Sequence, residues 1–153
     1  TSTNNAALLL CQSDGNYLTL LRTGDRAPGA GPATVLAIQA VEVNPLSGHY
    51  AVLGSLKGAK SGENQALWAG QTVAGNDTTL QHLRLPTLRL RKGDRYMSTE
   101  TPLGTIRSLI LKPAVDRTGA GGRGLAQVVG SSGHAVVYIL TDGGVTELVR
   151  LQL

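Results

Sequence analysis

Apolar and polar residues alternate along most of this chain, in short runs that end at glycine, proline, asparagine or aspartate. A period of two is typical of strands with one buried face, and no window keeps the helical period of 3.6 residues for three turns. The pattern therefore predicts an all-β fold. The predicted strands lie at residues 6–11, 17–22, 35–43, 49–56, 65–70, 81–91, 104–112, 124–130, 134–140 and 145–152.

Three predicted turns lie between pairs of apolar runs. Two contain Asp-Gly, at Asp14 and Asp142, which is favoured in type I′ hairpin turns because both central residues need a positive φ. The third, at residues 74–77, occupies the matching place between the strands at 65–70 and 81–91. We expect the three turns to join the same two strands in successive copies of a repeat.

A repeat is also visible in the tripeptide Gly-Asp-Arg at residues 24–26, which returns at 93–95 after a similar apolar run. Segments that begin at Asn5 and Asn64 align upstream, and residues 135–150 form a partial third copy. Four antiparallel strands at a spacing of about 60–70 residues are typical of propeller blades. We predict a single β-repeat domain over 1–153, with a partial unit at 1–26 and units at 35–91 and 104–153, about two and a half units in all. A single β-sandwich or barrel is the alternative.

Three segments of the first half resemble the motifs of a known family. Residues 44–52 resemble, through Asn44, Gly48 and Ala51, the Asn-x-x-Gly-x-x-Ala-Phe element of the bacterial choice-of-anchor tandem-repeat family. Residues 24–29 resemble its Gly-Asp-x-Ala-Pro-Gly element, and residues 66–70 its Ala-Leu-Trp-x-Gly element. One extra residue separates Asn44 from Gly48, and Val52 stands in place of the phenylalanine. The resemblance covers most of residues 5–95 and implies a secreted or surface-displayed β-repeat protein with no assigned enzymatic activity.

The composition narrows the classes of function. With 153 residues, 41% of them hydrophobic, the chain can bury a real core, and no apolar run approaches the ~20 residues that span a bilayer. A single cysteine, Cys11, excludes an intramolecular disulfide framework and a cysteine metal cluster. The net charge of +4 permits anionic partners, but an aromatic content of 3% argues against nucleic acid.

No catalytic or cofactor motif has its required context. Residues 119–124 spell G-x-G-x-x-G, but a strand pattern follows where a dinucleotide site needs a helix. His49, His82 and His134 fall at different places in the predicted repeat, which disfavours a shared metal site. Most aspartates lie in turns, where bonds to the local backbone explain them. We therefore predict no enzymatic activity, no cofactor and no metal.

Several residues receive structural roles. Trp68 is expected in the core, between stacked sheets. Asp25 and Asp94 are expected to accept backbone N–H bonds, with Arg26 and Arg95 pairing with them or bracing the loop.

Two segments are candidate contacts. The first is basic and comprises Arg84, Arg89, Arg91, Lys92 and Arg95. It suits an anionic glycan or an acidic neighbour, or else forms a solvated face or an edge protected by charge. Arg89 and Arg91 are expected on one face of their strand, with Leu88 and Leu90 on the other. The second is apolar on both faces and suits β-augmentation of another molecule's sheet. Its residues are Ala6, Ala7, Leu8, Leu9, Leu10 and Cys11.

The predicted function is that of a non-catalytic structural or interaction module in a secreted or cell-surface β-repeat protein. Its partners are expected to be protein, either through self-association at open strand edges or within a longer repeat chain, and an anionic glycan. No nucleic acid and no membrane span are expected. The alternative is a carbohydrate-binding or glycan-active propeller fragment.

Overall fold

The computed structural model describes residues 5–12, 14–72, 83–98, 101–111 and 128–153. Nothing in these residues forms a helix of the length and hydrophobicity that crossing a membrane requires. They contain one 3₁₀ turn, at Ser61–Glu63. Their strands are β1 (Ala7–Cys11), β2 (Tyr17–Arg22), β3 (Thr34–Val43), β4 (His49–Lys57), β5 (Gln65–Gln71), β6 (Arg84–Arg91), β7 (Arg95–Ser98), β8 (Thr101–Ile110), β9 (His134–Thr141) and β10 (Thr146–Gln152).

The strands form three antiparallel sheets in which neighbours in sequence are neighbours in space. β1 and β2 form a hairpin, β3 to β6 form a four-stranded sheet, and β7 to β10 form a second four-stranded sheet. The predicted fold class, all-β with antiparallel four-stranded units, is confirmed. The short strand β7 has no predicted counterpart, because four residues are too few to show an alternating pattern.

The sheet of β3 to β6 lies between the other two and buries both of its faces. On one face, Tyr50 and Trp68 pack against the β1–β2 hairpin, and Trp68 is fully buried, as predicted. On the other face, Leu53 and Leu67 pack against β8, β9 and β10. A strand covered on both sides needs a nearly continuous apolar sequence, which β4 and β5 have. The three sheets therefore form a stack of blade-like layers.

The connection from one sheet to the next is built the same way twice. After β2, the Gly24 N–H donates to the Val35 carbonyl over 2.7 Å, and the Val35 N–H donates to the Asp25 carbonyl over 2.9 Å. After β6, the Gly93 N–H donates to the Ile106 carbonyl over 2.8 Å, and the Ile106 N–H donates to the Asp94 carbonyl over 2.9 Å. Residues 22–26 and 91–95 thus share one backbone geometry, which we call the joint.

An ion pair braces each joint. Arg22 contacts the Asp25 carboxylate at 2.9 Å, and Arg91 contacts the Asp94 carboxylate at 3.0 Å. The pairing arginine is therefore three residues before the aspartate, because the chain turns there and brings residues i and i+3 together. Arg26 braces the loop in another way, since its Nε donates to the Gly31 carbonyl over 2.9 Å.

The order of strands in the last sheet differs from the prediction. β9 pairs directly with β8, with Ile106 opposite Thr141, as β4 pairs with β3. Residues 128–130 are the described end of the predicted 124–130 strand. They lie along the same edge of β9 as β8 does, with Val129 opposite Ala135. The β9–β10 hairpin is therefore the counterpart of β4–β5, and not of β5–β6 as the turn sequences suggested.

Two further observations support this correspondence. Residues 49–55 pair with 65–71 in the same register as residues 134–140 pair with 146–152. The backbone N–H of Thr72, just after β5, donates to the carbonyl of Gly48, just before β4, over 2.7 Å. At the equivalent place beside β10 and β9, the N–H of Leu153 donates to the Gly133 carbonyl over 2.8 Å. His49 and His134 thus occupy equivalent positions, so their predicted difference in place is wrong. An Asp-Gly sequence identifies a hairpin but does not show which strands of the sheet the hairpin joins.

Candidate anion-binding groove

The basic segment does not present its side chains as the alternating pattern predicts. On β6, Leu90 lies opposite Leu67 and Leu88 lies opposite Trp68, so Arg89 is an extra residue at a β-bulge. As a result Leu88 packs towards the β1–β2 hairpin and Leu90 towards β8–β10. The prediction that Leu88 and Leu90 share a face is therefore wrong.

Two of the five basic residues hold the second joint together. The Arg91 guanidinium contacts the Asp94 carboxylate and also approaches Glu63 to 3.4 Å. The Lys92 ammonium donates to the side-chain oxygen of Asn64 over 3.2 Å. These contacts occupy Arg91 and Lys92 in the fold, while Arg95 is exposed on β7.

Arg84 and Arg89 line a groove of about 440 Å³ on the middle sheet. Both side chains are exposed, and neither forms an ion pair with an acidic residue in the described part of the chain. Each guanidinium offers five N–H donors that suit a carboxylate or sulfate. The groove is lined by His49, Gly70, Gln71, Arg84, Leu85, Thr87, Arg89 and Leu153.

Sheet register brings His49 into this groove. His49 pairs with Gln71 and Gln71 pairs with Arg84, so the three residues form one row across β4, β5 and β6. The His49 Nδ1 lies 3.0 Å from the Ser47 hydroxyl. Burial, with the positive charge of Arg84, lowers the pKa of His49, so its imidazole stays neutral at lower pH than an ordinary histidine. The fixed charge of the groove therefore comes from its two guanidinium groups.

A second cleft, of about 570 Å³, lies at the other end of the strands, beside the second joint. Its charges are mixed, because Lys60, Lys92 and Arg107 share it with Glu63 and Asp142. The Asp142 carboxylate accepts the Thr105 N–H over 2.9 Å, and this bond is the main cause of the lowered pKa of Asp142. The Asp142 carboxylate therefore holds the backbone at Thr105 in place, as expected for an aspartate in a turn.

The candidate assembly segment is the edge of the first hairpin. β1 pairs with β2 along one edge, and Ala6 is held by Thr23, whose N–H donates to the Ala6 carbonyl over 2.9 Å. Leu8 and Leu10 pack towards the middle sheet. The other face is exposed and carries Ala7, Leu9 and Cys11.

The sequence alone identifies Arg84 and Arg89 as candidate contacts but does not show that His49 lies beside them. The position of His49 depends on the strand register of two hairpins, which no local sequence motif reveals. Among the described residues no group of three or more histidine, cysteine, aspartate or glutamate side chains could hold a metal ion. Comparison of the chain with family models, with curated proteins and with solved structures finds no match.

Proposed function

We propose that this chain is a non-catalytic structural or interaction module of a secreted or cell-surface β-repeat protein, whose blade-like units stack in series as in a propeller. The joint supports this proposal: the same hydrogen bonds and the same Arg–Asp pair link each sheet to the next. A connection that recurs with one geometry allows units to be added one after another. In such proteins, stability is approximately a sum of unit and nearest-neighbour terms.

Duplication of one unit tests this proposal. In a chain that runs from residue 1 to 93 and continues with 25 to 153, each joint keeps its native sequence pattern. We expect this longer chain to unfold cooperatively in urea, with an m-value roughly 40% larger because more surface is buried. The control is a duplication of the same length that begins in the middle of β4. If both chains aggregate or unfold alike, the units are not modules.

A second candidate function is the binding of an anionic glycan, favoured by the two guanidinium groups of the groove, which form no ion pair with any described acidic residue. Arg91 is excluded from this site, because it is engaged by Asp94 and Glu63. An extended acidic polysaccharide can follow the exposed β6 edge and place carboxylate or sulfate groups between Arg84 and Arg89.

The variant Arg84→Glu/Arg89→Glu should lose at least about tenfold in affinity for a sulfated polysaccharide such as dextran sulfate, since bonds to charged groups contribute about 1.5–3 kcal/mol each. Wild-type binding should also weaken as salt is added. The matched control is Lys57→Glu/Lys60→Glu, which changes the charge equally at the other end of β4. Equal losses in the two variants would indicate general charge attraction, and no binding at low salt would reject the glycan function.

A further inference from the structure

In the described part of the chain, no other strand packs on the outward face of the last sheet, which carries several exposed apolar side chains. Alternate residues of β9 and β10, such as Val137 and Val149, are buried against the middle sheet. The residues between them point away, and Leu148 is 60% exposed. We call this surface the open face; its exposed apolar residues are Ile110, Val136, Leu140 and Leu148.

The open face repeats, position by position, a surface that is covered within the same molecule. Leu148 lies opposite Tyr138, as Leu67 lies opposite Leu53 in the identical register of β4 and β5. Leu67 is fully buried and Leu53 nearly so, because the last sheet packs on them. The open face is thus the forward face of a blade-like layer on which none of the described strands packs.

The hairpin carries the complementary surface. Its outward side chains, which we call the hairpin face, are Ala7, Leu9, Cys11, Tyr17 and Thr19. In the β1–β2 pair, Leu9 lies opposite Thr19 just after a register shift. In the β5–β6 pair, Trp68 lies opposite Leu88 just after the same kind of shift, so Leu9 and Trp68 occupy equivalent positions. Trp68 is fully buried where the middle sheet meets the hairpin, whereas Leu9 is 48% exposed. The hairpin face is thus the backward face of a layer, and no strand within the described ranges covers it.

We infer that the open face of one molecule packs on the hairpin face of a second copy of this chain. The inference rests on the proposed function, and it extends an interface that the chain already forms twice internally. Each internal contact joins a forward face to a backward face, and the described part of one molecule leaves one face of each kind uncovered. The contact is head-to-tail, so it closes a ring or builds a filament according to the rotation between copies. Side chains make the contact, in contrast to the backbone pairing of open strand edges.

Light scattering on two face variants tests the inference. Leu148→Asp disables the open face and Leu9→Asp the hairpin face. Leu46→Asp is the control, because Leu46 is 79% exposed in the β3–β4 turn. Wild type and control should form species heavier than the 15.9 kDa monomer as concentration rises, and each face variant should stay monomeric. An equimolar mixture of the face variants should form dimers and nothing larger, because one intact face of each kind remains per pair.

A second readout does not depend on the folding of a variant at the hairpin face. Cys11 is the single cysteine and lies on that face, so its rate of alkylation should fall as the wild-type concentration rises. It should not fall for Leu148→Asp, whose fold is checked by circular dichroism. A wild type that stays monomeric overturns the inference but not the proposed function, which unit duplication tests separately. Association that survives in both face variants, or a mixture that stays monomeric, also overturns it.

Discussion

Replacing Trp68 with alanine should lower the free energy of unfolding by about 3–5 kcal/mol, the range for large aromatic truncations in a core. The side chain is fully buried between the middle sheet and the hairpin, and its indole N–H donates to the Pro28 carbonyl over 2.9 Å. Gly54 leaves room for the ring, since a Cβ there would lie 3.0 Å from Trp68 Cζ3. Packing this close to backbone leaves little scope for the site to collapse around an alanine.

Urea unfolding of the two proteins measures the loss. Tyr17→Ala is the control, because this aromatic side chain is 69% exposed. Trp68→Phe separates packing from hydrogen bonding, since it keeps most of the apolar volume but removes the donor to Pro28; a loss of about 1–3 kcal/mol is expected. If Trp68→Ala costs less than about 1 kcal/mol, the side chain does not hold the layers together.

Replacing Asn44 with alanine should cost about 2–3 kcal/mol, since it removes polar contacts that are shielded from water. The Asn44 amide donates to the Val129 carbonyl over 2.9 Å, a bond between the middle sheet and the last one. Its side-chain oxygen accepts the N–H groups of Leu46 and Ser47 at 3.0 and 3.1 Å, which shapes the β3–β4 turn. One buried side chain thus fixes a turn and a contact between layers.

The variant Asn44→Asp separates these two roles. The carboxylate can still accept the two turn bonds, but it cannot donate to Val129 and places negative charge beside that carbonyl. We expect it to be destabilised at neutral pH and to recover part of the loss in acid, where the carboxyl group is protonated and can donate. The control Asn16→Ala removes an exposed asparagine from the β1–β2 turn. If it costs as much as Asn44→Ala, the contact between layers contributes little.

Local patterns in this sequence predict strands well, because a strand with one or two buried faces is encoded in consecutive residues. β2 has the predicted bounds of 17–22, and β4 and β9 each begin at the predicted residue. Features that depend on pairing between distant strands were not predictable in this way. The bulge at Arg89, the place of β9 beside β8 and the row from His49 to Arg84 all depend on register, which no short window of sequence contains.

In the last sheet, two stretches that lie apart in sequence share one edge of β9. β8 and Val129 both pair there, whereas β3, which holds the same place in the middle sheet, runs as one strand from Thr34 to Val43. That edge is therefore defined by pairing with β9 and not by continuity of the chain. For protein engineering, β9 is thus a template that selects its partners by register.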